Sequence, residues 1–206
     1  MGYIVFEGKK ITPSKIVCAG RNYIEHIKEL NNEVPKRLVI FNKPNSAISS
    51  SFKYFKDTRF EGELSFLIEG GEIVGVGFGF DLTNVKEQEI AKAKGLPWER
   101  AKSFDGSAVF SEFVKINKDD IKELSFRLYR DSERLAQEAD YSLMIYKPEE
   151  ILREVKSFMS LEDGDIIMTG TPKGVDFYEA GEGFLAKILL RDNLILEESW
   201  IVEGEL

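Results

Sequence analysis

Alternation of apolar and polar positions marks two adjoining strands in the first half of the chain. In Arg59-Phe-Glu-Gly-Glu-Leu-Ser-Phe-Leu-Ile-Glu69, Phe60, Leu64, Phe66 and Ile68 fall on one face, and Glu61, Glu63 and Ser65 fall on the other. The reason is the two-residue period of a strand. In Ile73-Val-Gly-Val-Gly-Phe-Gly-Phe-Asp81, Val74, Val76, Phe78 and Phe80 share a face, and Gly75, Gly77, Gly79 and Asp81 form the opposite one. Gly70-Gly71-Glu72 reads as a three-residue hairpin loop. That register sets Glu61 across from Asp81 and Glu63 across from Gly79. A two-residue Gly-Gly turn would shift the register and carry Asp81 to the apolar side.

The rest of the chain reads as further short elements. Residues 1–18 hold short strands with Thr12-Pro13-Ser14 as a turn. A helix is expected from Asn22 to Asn31, with Asn22 and Glu25 at capping-box spacing and Tyr23, Ile27 and Leu30 as its apolar stripe. Pro35 ends it, and Leu38 to Asn42 looks like a buried strand. Asn84 and Glu87 repeat the capping pattern and open a helix that runs to about Lys94, where Gly95 and Pro97 stop it. Strands are expected at Phe126–Tyr129 and Asp140–Ile145, and an amphipathic helix from Pro148 to Met159. Asp163-Gly-Asp165 turns into the strand Ile166–Thr169, Gly170 to Gly174 form a structured loop, and Phe184–Leu190 and Ile195–Val202 close the chain as strands. The fold class that follows is α+β, mostly β, with antiparallel sheets curled around a core and three short helices.

Composition narrows the function classes. The chain has 206 residues, a length that suits one domain over 1–206, with 1–14 as a short strand segment leading in. With a net charge of −8 it carries no basic stripe of the kind nucleic acid requires. No signal-peptide pattern and no apolar run of membrane-spanning length is visible, so a cytoplasmic location is expected and no membrane partner. Cys18 is the only cysteine and reads as a small buried hydrophobe, which argues against a thiol dyad with His26.

The acidic face of the hairpin is the strongest chemical signal. Like charges directly opposite one another destabilise a sheet, and a cation removes the conflict. Oxygen-only ligands favour a hard ion, so magnesium, manganese or calcium fits better than zinc. The alternative is an amphipathic hairpin with a solvated acidic face. His26, the only histidine, lies three residues before Glu29, so the two share a helix face, and such a pair can activate a water. A surface His beside a Glu is also common. Lys102 and Lys43, taken alone, read as solvated charges. Gly170-Thr-Pro-Lys-Gly174 suits an anion cradle in composition but lacks the P-loop spacing, and a tight turn explains it equally well.

Several segments in a fixed order resemble one family. They are Gly20-Arg-Asn-Tyr23, His26 and Glu29, Phe41-Asn-Lys-Pro44, Glu61-Gly-Glu-Leu64, Asp81-Leu-Thr83, Gly95-Leu-Pro-Trp98, Lys102-Ser-Phe-Asp105 and Gly164 to Gly174. From about Lys15 to its end the chain resembles the fumarylacetoacetate hydrolase family, and looks most like the short acylpyruvase and fumarylpyruvate hydrolase branch. The resemblance implies a mixed β-sandwich roll, a homodimer and a divalent metal, usually magnesium or manganese, on Glu61, Glu63 and Asp81. It implies that His26 and Glu29 hold the catalytic water, and that Lys102, Gln88 and Thr171 contact substrate, with Arg21 and Lys43 as basic residues near the pocket. The expected activity is hydrolysis of a carbon–carbon bond in acylpyruvates or related 2,4-dioxo acids, releasing pyruvate. The alternatives are decarboxylation or tautomerisation of oxaloacetate, isomerisation of a dioxo acid, or keto-acid binding without turnover. One departure motivates the last: Val85 stands where the resemblance expects an arginine, and Lys86 where it expects an acid.

Overall fold

A computed structural model describes residues 1–29 and 35–204. The strands are β1 (Ile4–Phe6), β2 (Lys9–Ile11), β3 (Lys15–Gly20), β4 (Val39–Pro44), β5 (Ile48–Ser49), β6 (Thr58–Phe60), β7 (Gly62–Glu69) and β8 (Glu72–Asp81). They continue with β9 (Thr83–Asn84), β10 (Ala108–Lys115), β11 (Leu124–Arg130), β12 (Arg134–Asp140), β13 (Ile166–Met168), β14 (Asp176–Phe177), β15 (Gly183–Leu190) and β16 (Asn193–Ile201). The helices are α1 (Ile24–Glu29), α2 (Val85–Lys94), α3 (Glu99–Lys102) and α4 (Pro148–Lys156).

A mixed sheet of nine strands runs β2-β1-β10-β8-β7-β13-β3-β4, with β5 also on β10. Because β4 closes one end of that order and β5 follows it closely in sequence, the sheet curls until its ends approach. A four-stranded antiparallel sheet, β12-β11-β15-β16, packs on one face, and β14-β6-β9 form a small third sheet. The fold is mostly β, as the alternating pattern demands. Between the two larger sheets lies an aromatic core in which the Phe78 and Phe126 ring centroids are 5.4 Å apart and those of Phe80 and Phe184 are 5.5 Å apart. Rings at this spacing in tilted or edge-on pairs gain beyond their buried area. The other face of the large sheet packs a smaller cluster, including Ile16, Cys18, Leu67 and Met168.

The hairpin of β7 and β8 reaches the expected register by an unexpected route. The turn is the two-residue Gly70-Gly71, since Glu69 pairs with Glu72, and both glycines take left-handed φ of 58° and 74°. Such a turn alone would carry Asp81 to the apolar side. A bulge between Leu67 and Ile68 inserts one extra residue on β8 and restores the parity, so Glu63 pairs with Gly79. The Asp81 amide donates to the Glu61 carbonyl at 2.8 Å, which fixes those two residues opposite one another. Val74 is the residue displaced by the bulge, and it packs on the smaller cluster instead of beside Val76.

Three other expectations change. Asn22 does not cap a helix: its side chain is buried and bonds the Tyr146 backbone and the Thr169 carbonyl, so tertiary partners outcompete the local cap. The described helix is Ile24–Glu29, and Leu30 and Asn31 lie outside the described residues. At 140–145 the strand expected there has already ended, because Asp140 Oδ1 accepts from the Ser142 amide at 2.7 Å and starts a short 3-10 turn. The second capping site holds: Asn84 Oδ1 accepts from the Glu87 amide at 3.0 Å, and Gly95 ends α2 with φ 62°.

Candidate active site

Each carboxylate of the acidic face is delivered by the hairpin. Glu61 precedes β7, Glu63 lies within it and Asp81 ends β8, all on the face that Gly77 and Gly79 leave clear. A Cβ at Gly79 would meet Ser65 Oγ at 2.5 Å, so the glycine is required by space. One oxygen from each of Glu61, Glu63 and Asp81 lies within 4.8 Å of the others. Glu63 and Asp81 are buried and Glu61 is partly so.

Two lysines enter this cluster, and neither is solvated. Lys102, at the end of α3, places Nζ 2.8 Å from Glu61 Oε2, 2.6 Å from Asp81 Oδ2 and 2.6 Å from Thr83 Oγ1. Burial opposes its charge, but Asp81 and Glu61 outweigh burial and raise its pKa, so it stays an ammonium. Lys43 is fully buried with Nζ 2.8 Å from Asp81 Oδ1, and it also donates to the Leu82 and Lys102 carbonyls. It stands behind Asp81 and is not among the residues that line the cavity.

Charge balance points to what the cluster can hold. Three carboxylates face two ammonium groups, and Glu63 has neither of them. Its hydrogen bond comes from the Gly170 amide at 2.7 Å. Burial, with Asp81 and Glu61 adding to it, pushes the Glu63 carboxyl well above its usual range. The buried Oδ1 of Asp81, close to Lys43, has no hydrogen-bond donor aimed at it. A buried carboxyl with no cationic partner, crowded by two others, is what a divalent cation bound by oxygens would relieve. The donor set therefore fits magnesium or manganese, and Glu61, Glu63 and Asp81 would hold it.

The predicted catalytic pair is assembled at the cavity wall. His26 is buried, lines the cavity, and places Nδ1 3.1 Å from Glu29 Oε2. The Gly174 amide donates to Glu29 Oε1 at 3.1 Å, so Glu29 is held from both sides. That leaves Nε2 as the ring nitrogen open to a ligand. Arg21, Gln88 and Thr171 line the same cavity. Cys18 is fully buried in the smaller cluster, and burial pushes its thiol up, so it is no nucleophile.

Two other residues of the site, Gln137 and Lys92, carried no local sequence signal. Gln137 is buried, donates to Thr171 Oγ1 at 2.8 Å and accepts from the Gly62 amide at 2.9 Å, tying the loop after β13 to the start of β7. Phe41, Lys92 and Trp98 complete the wall. Val85 opens α2 and is absent from the lining, so an aliphatic residue occupies the position where an arginine was expected.

Comparison with known proteins gives a consistent neighbourhood. The family described as fumarylacetoacetate (FAA) hydrolase C-terminal matches residues 15–195. The mitochondrial oxaloacetate tautomerase of Bos taurus is 36% identical over 178 residues, covering 78% of this chain and 80% of its own. The mitochondrial oxaloacetate decarboxylase of Dictyostelium discoideum is 34% identical over 196 residues, covering 83% and 87%. A crystal structure of fumarylpyruvate hydrolase from Pseudomonas aeruginosa, in complex with Mn2+ and pyruvate, superposes with a TM-score of 0.86 at 25% identity, covering 98% of this chain and 96% of that one.

Proposed function

The chain belongs to the fumarylacetoacetate hydrolase family, and from that premise we propose that it is a divalent-metal-dependent enzyme that interconverts the keto and enol forms of short 2-oxo acids of the oxaloacetate type. The observation that carries this reading is the one imidazole on the cavity wall, oriented through Nδ1 by Glu29 at 3.1 Å, in the same cavity as the carboxylate cluster. The relatives named oxaloacetate tautomerase and decarboxylase support the choice of substrate.

Glu61, Glu63 and Asp81 would hold a divalent cation, which when bound would supply Lewis-acid polarisation of a substrate carbonyl. His26 Nε2 takes the proton from the carbon beside the ketone and returns it at oxygen. Glu29 keeps the ring in one tautomer and orientation. Lys102, held as an ammonium with its three N–H groups on Glu61, Asp81 and Thr83, offsets by its charge the negative charge developing on oxygen. Gln88 and Thr171 orient the substrate.

A second reading, hydrolysis of an acylpyruvate to pyruvate and an acid, draws on the same pair. His26 held by Glu29 is also the arrangement of a general base for water, and the fumarylpyruvate hydrolase neighbour favours it. One experiment separates them. With manganese present, the parent and His26→Ala are assayed for decay of enol absorbance, for carbon dioxide release and for pyruvate release. Enol decay on oxaloacetate that falls by roughly a hundredfold or more in His26→Ala supports the tautomerase. Pyruvate release from an acylpyruvate lost in the variant, with no catalysed enol decay in the parent, replaces it with the hydrolase.

A further inference from the structure

The four cations at the site fall into two groups. Lys43 and Lys102 are neutralised by Asp81 and Glu61. Arg21 and Lys92 line the same cavity, and among the described residues neither forms an ion pair, although Glu61 and Glu89 act on Lys92 from farther off. Lys92 Nζ is held by a neutral group, Gln88 Oε1 at 3.0 Å, one helical turn back on α2. The same ammonium lies 6.0 Å from the centroid of the Trp98 ring. Partial burial at this exposed rim and the Arg21 charge together lower the pKa of Lys92.

Arg21 is held with comparable care. Its φ of 54° lies in the left-handed region that a bulky residue avoids. The next residue, Asn22, is clamped by bonds to Tyr146 and Thr169 and keeps the backbone there. Strain of this kind persists where the surroundings impose it, and it gathers at ligand sites. Two like charges facing one cavity, neither held in an ion pair among the described residues, are free to receive an anion.

We propose that Arg21 and Lys92 form a second anion subsite, which takes the distal carboxylate of a 2-oxo dicarboxylate whose 2-oxo acid end would face the cation that Glu61, Glu63 and Asp81 would hold. This deepens the proposed function and rests on it for the orientation of the ligand. The subsite makes the cavity select dicarboxylates over acids with an uncharged distal end. Lys92 acts here as a specificity-determining residue, and the proton chemistry remains with His26.

The test reads binding as well as turnover. Manganese-loaded parent, Lys92→Gln and Lys92→Arg are mixed rapidly with oxaloacetate or with pyruvate, and tryptophan fluorescence follows binding, since Trp98 stands on the cavity wall. The expected result is a parent that prefers oxaloacetate by roughly tenfold or more, as one added charge-assisted contact implies. That preference is lost in Lys92→Gln, largely kept in Lys92→Arg, and weakened by salt. Pyruvate affinity and calorimetric manganese affinity stay unchanged, which shows that the variant is folded with its acidic cluster intact. KM for oxaloacetate rises in Lys92→Gln while kcat holds. Equal affinity of the parent for the two acids, or an unchanged preference in Lys92→Gln, overturns the subsite. A parent that shows the Lys92-dependent preference yet turns over neither acid leaves the subsite standing and removes the proposed activity instead.

Discussion

Lys102 Nζ lies 2.6 Å from Asp81 Oδ2, and the same ammonium reaches Glu61 at 2.8 Å. One buried lysine thus bridges two of the three acids. Its removal leaves Glu61 without a cation and Asp81 with Lys43 alone, and breaking a buried pair in this way typically costs about 3–5 kcal/mol. Lys102→Met should lower the Tm of the metal-free protein, and manganese should raise the Tm of the variant more than that of the parent. Turnover with saturating metal should fall by roughly a hundredfold or more. Thermal melts with and without manganese, beside steady-state rates, check both; an identical manganese shift in the two proteins would show that the lysine does not share those oxygens.

Glu63 predicts a change of the opposite sign. Its carboxyl is buried beside two others, and its pKa is raised, so the native state holds a proton that the unfolded chain releases. Where the native state binds more protons, stability falls as pH rises. The metal-free parent should therefore lose stability from the ordinary carboxylate range upward through the raised value. Glu63→Gln should flatten that slope and stabilise the metal-free protein near neutrality by about 1 kcal/mol, a few degrees in Tm. It should also abolish stabilisation by manganese. Denaturant titrations across pH decide the matter; a variant less stable than the parent at neutral pH without metal contradicts the charge conflict.

Asp165 behaves as a structural acid. Its Oδ1 accepts from the Ser14 amide at 2.9 Å, the Ser14 hydroxyl at 2.7 Å and the Lys15 amide at 3.1 Å. Its Oδ2 accepts from Lys15 Nζ at 2.6 Å and the Glu162 amide at 2.9 Å. Burial alone would raise its pKa, but the Lys15 ammonium and these donors hold it low. The stabilisation is thus present above the ordinary aspartate range and lost as pH falls through the lowered value. Asp165→Asn should destabilise the protein by about 2–4 kcal/mol at neutral pH and make its acid unfolding shallower. Because Asp165 aligns β3 with β13, whose ends carry Arg21 and Gly170, metal affinity should weaken as well. Equal stability of the variant at pH 7 argues against the network.

A homodimer is proposed for the assembled protein. Strand β4 ends the order of the nine-stranded sheet, so Val39, Ile40 and Phe41 lie on an edge without a further strand among the described residues, and such edges are commonly covered. Light scattering at micromolar concentration should report twice the 23.5 kDa of one chain. A mass of one chain rules the dimer out.

The sequence by itself determined whatever depends on neighbours along the chain. Alternation put Glu61 and Glu63 on one face, the glycines of β8 cleared the space before Asp81, and Asn84 with Gly95 bounded α2. The spacing of His26 and Glu29 sufficed to bring the two together at 3.1 Å. Tertiary structure decided the rest. The bulge at Leu67 and Ile68 kept Asp81 on the acidic side despite a two-residue turn, because packing on both faces of the sheet selects the register. Strand β10 was invisible because its own register shift between Phe110 and Phe113 breaks the alternation. Asn22 has the residue type and spacing of a cap, yet partners more than a hundred positions away claim it. Lys43 and Lys102 read as solvated charges until Asp81, brought from another strand, made burial affordable. A charge is buried or exposed according to what the fold places opposite it, and that partner is rarely a neighbour in sequence.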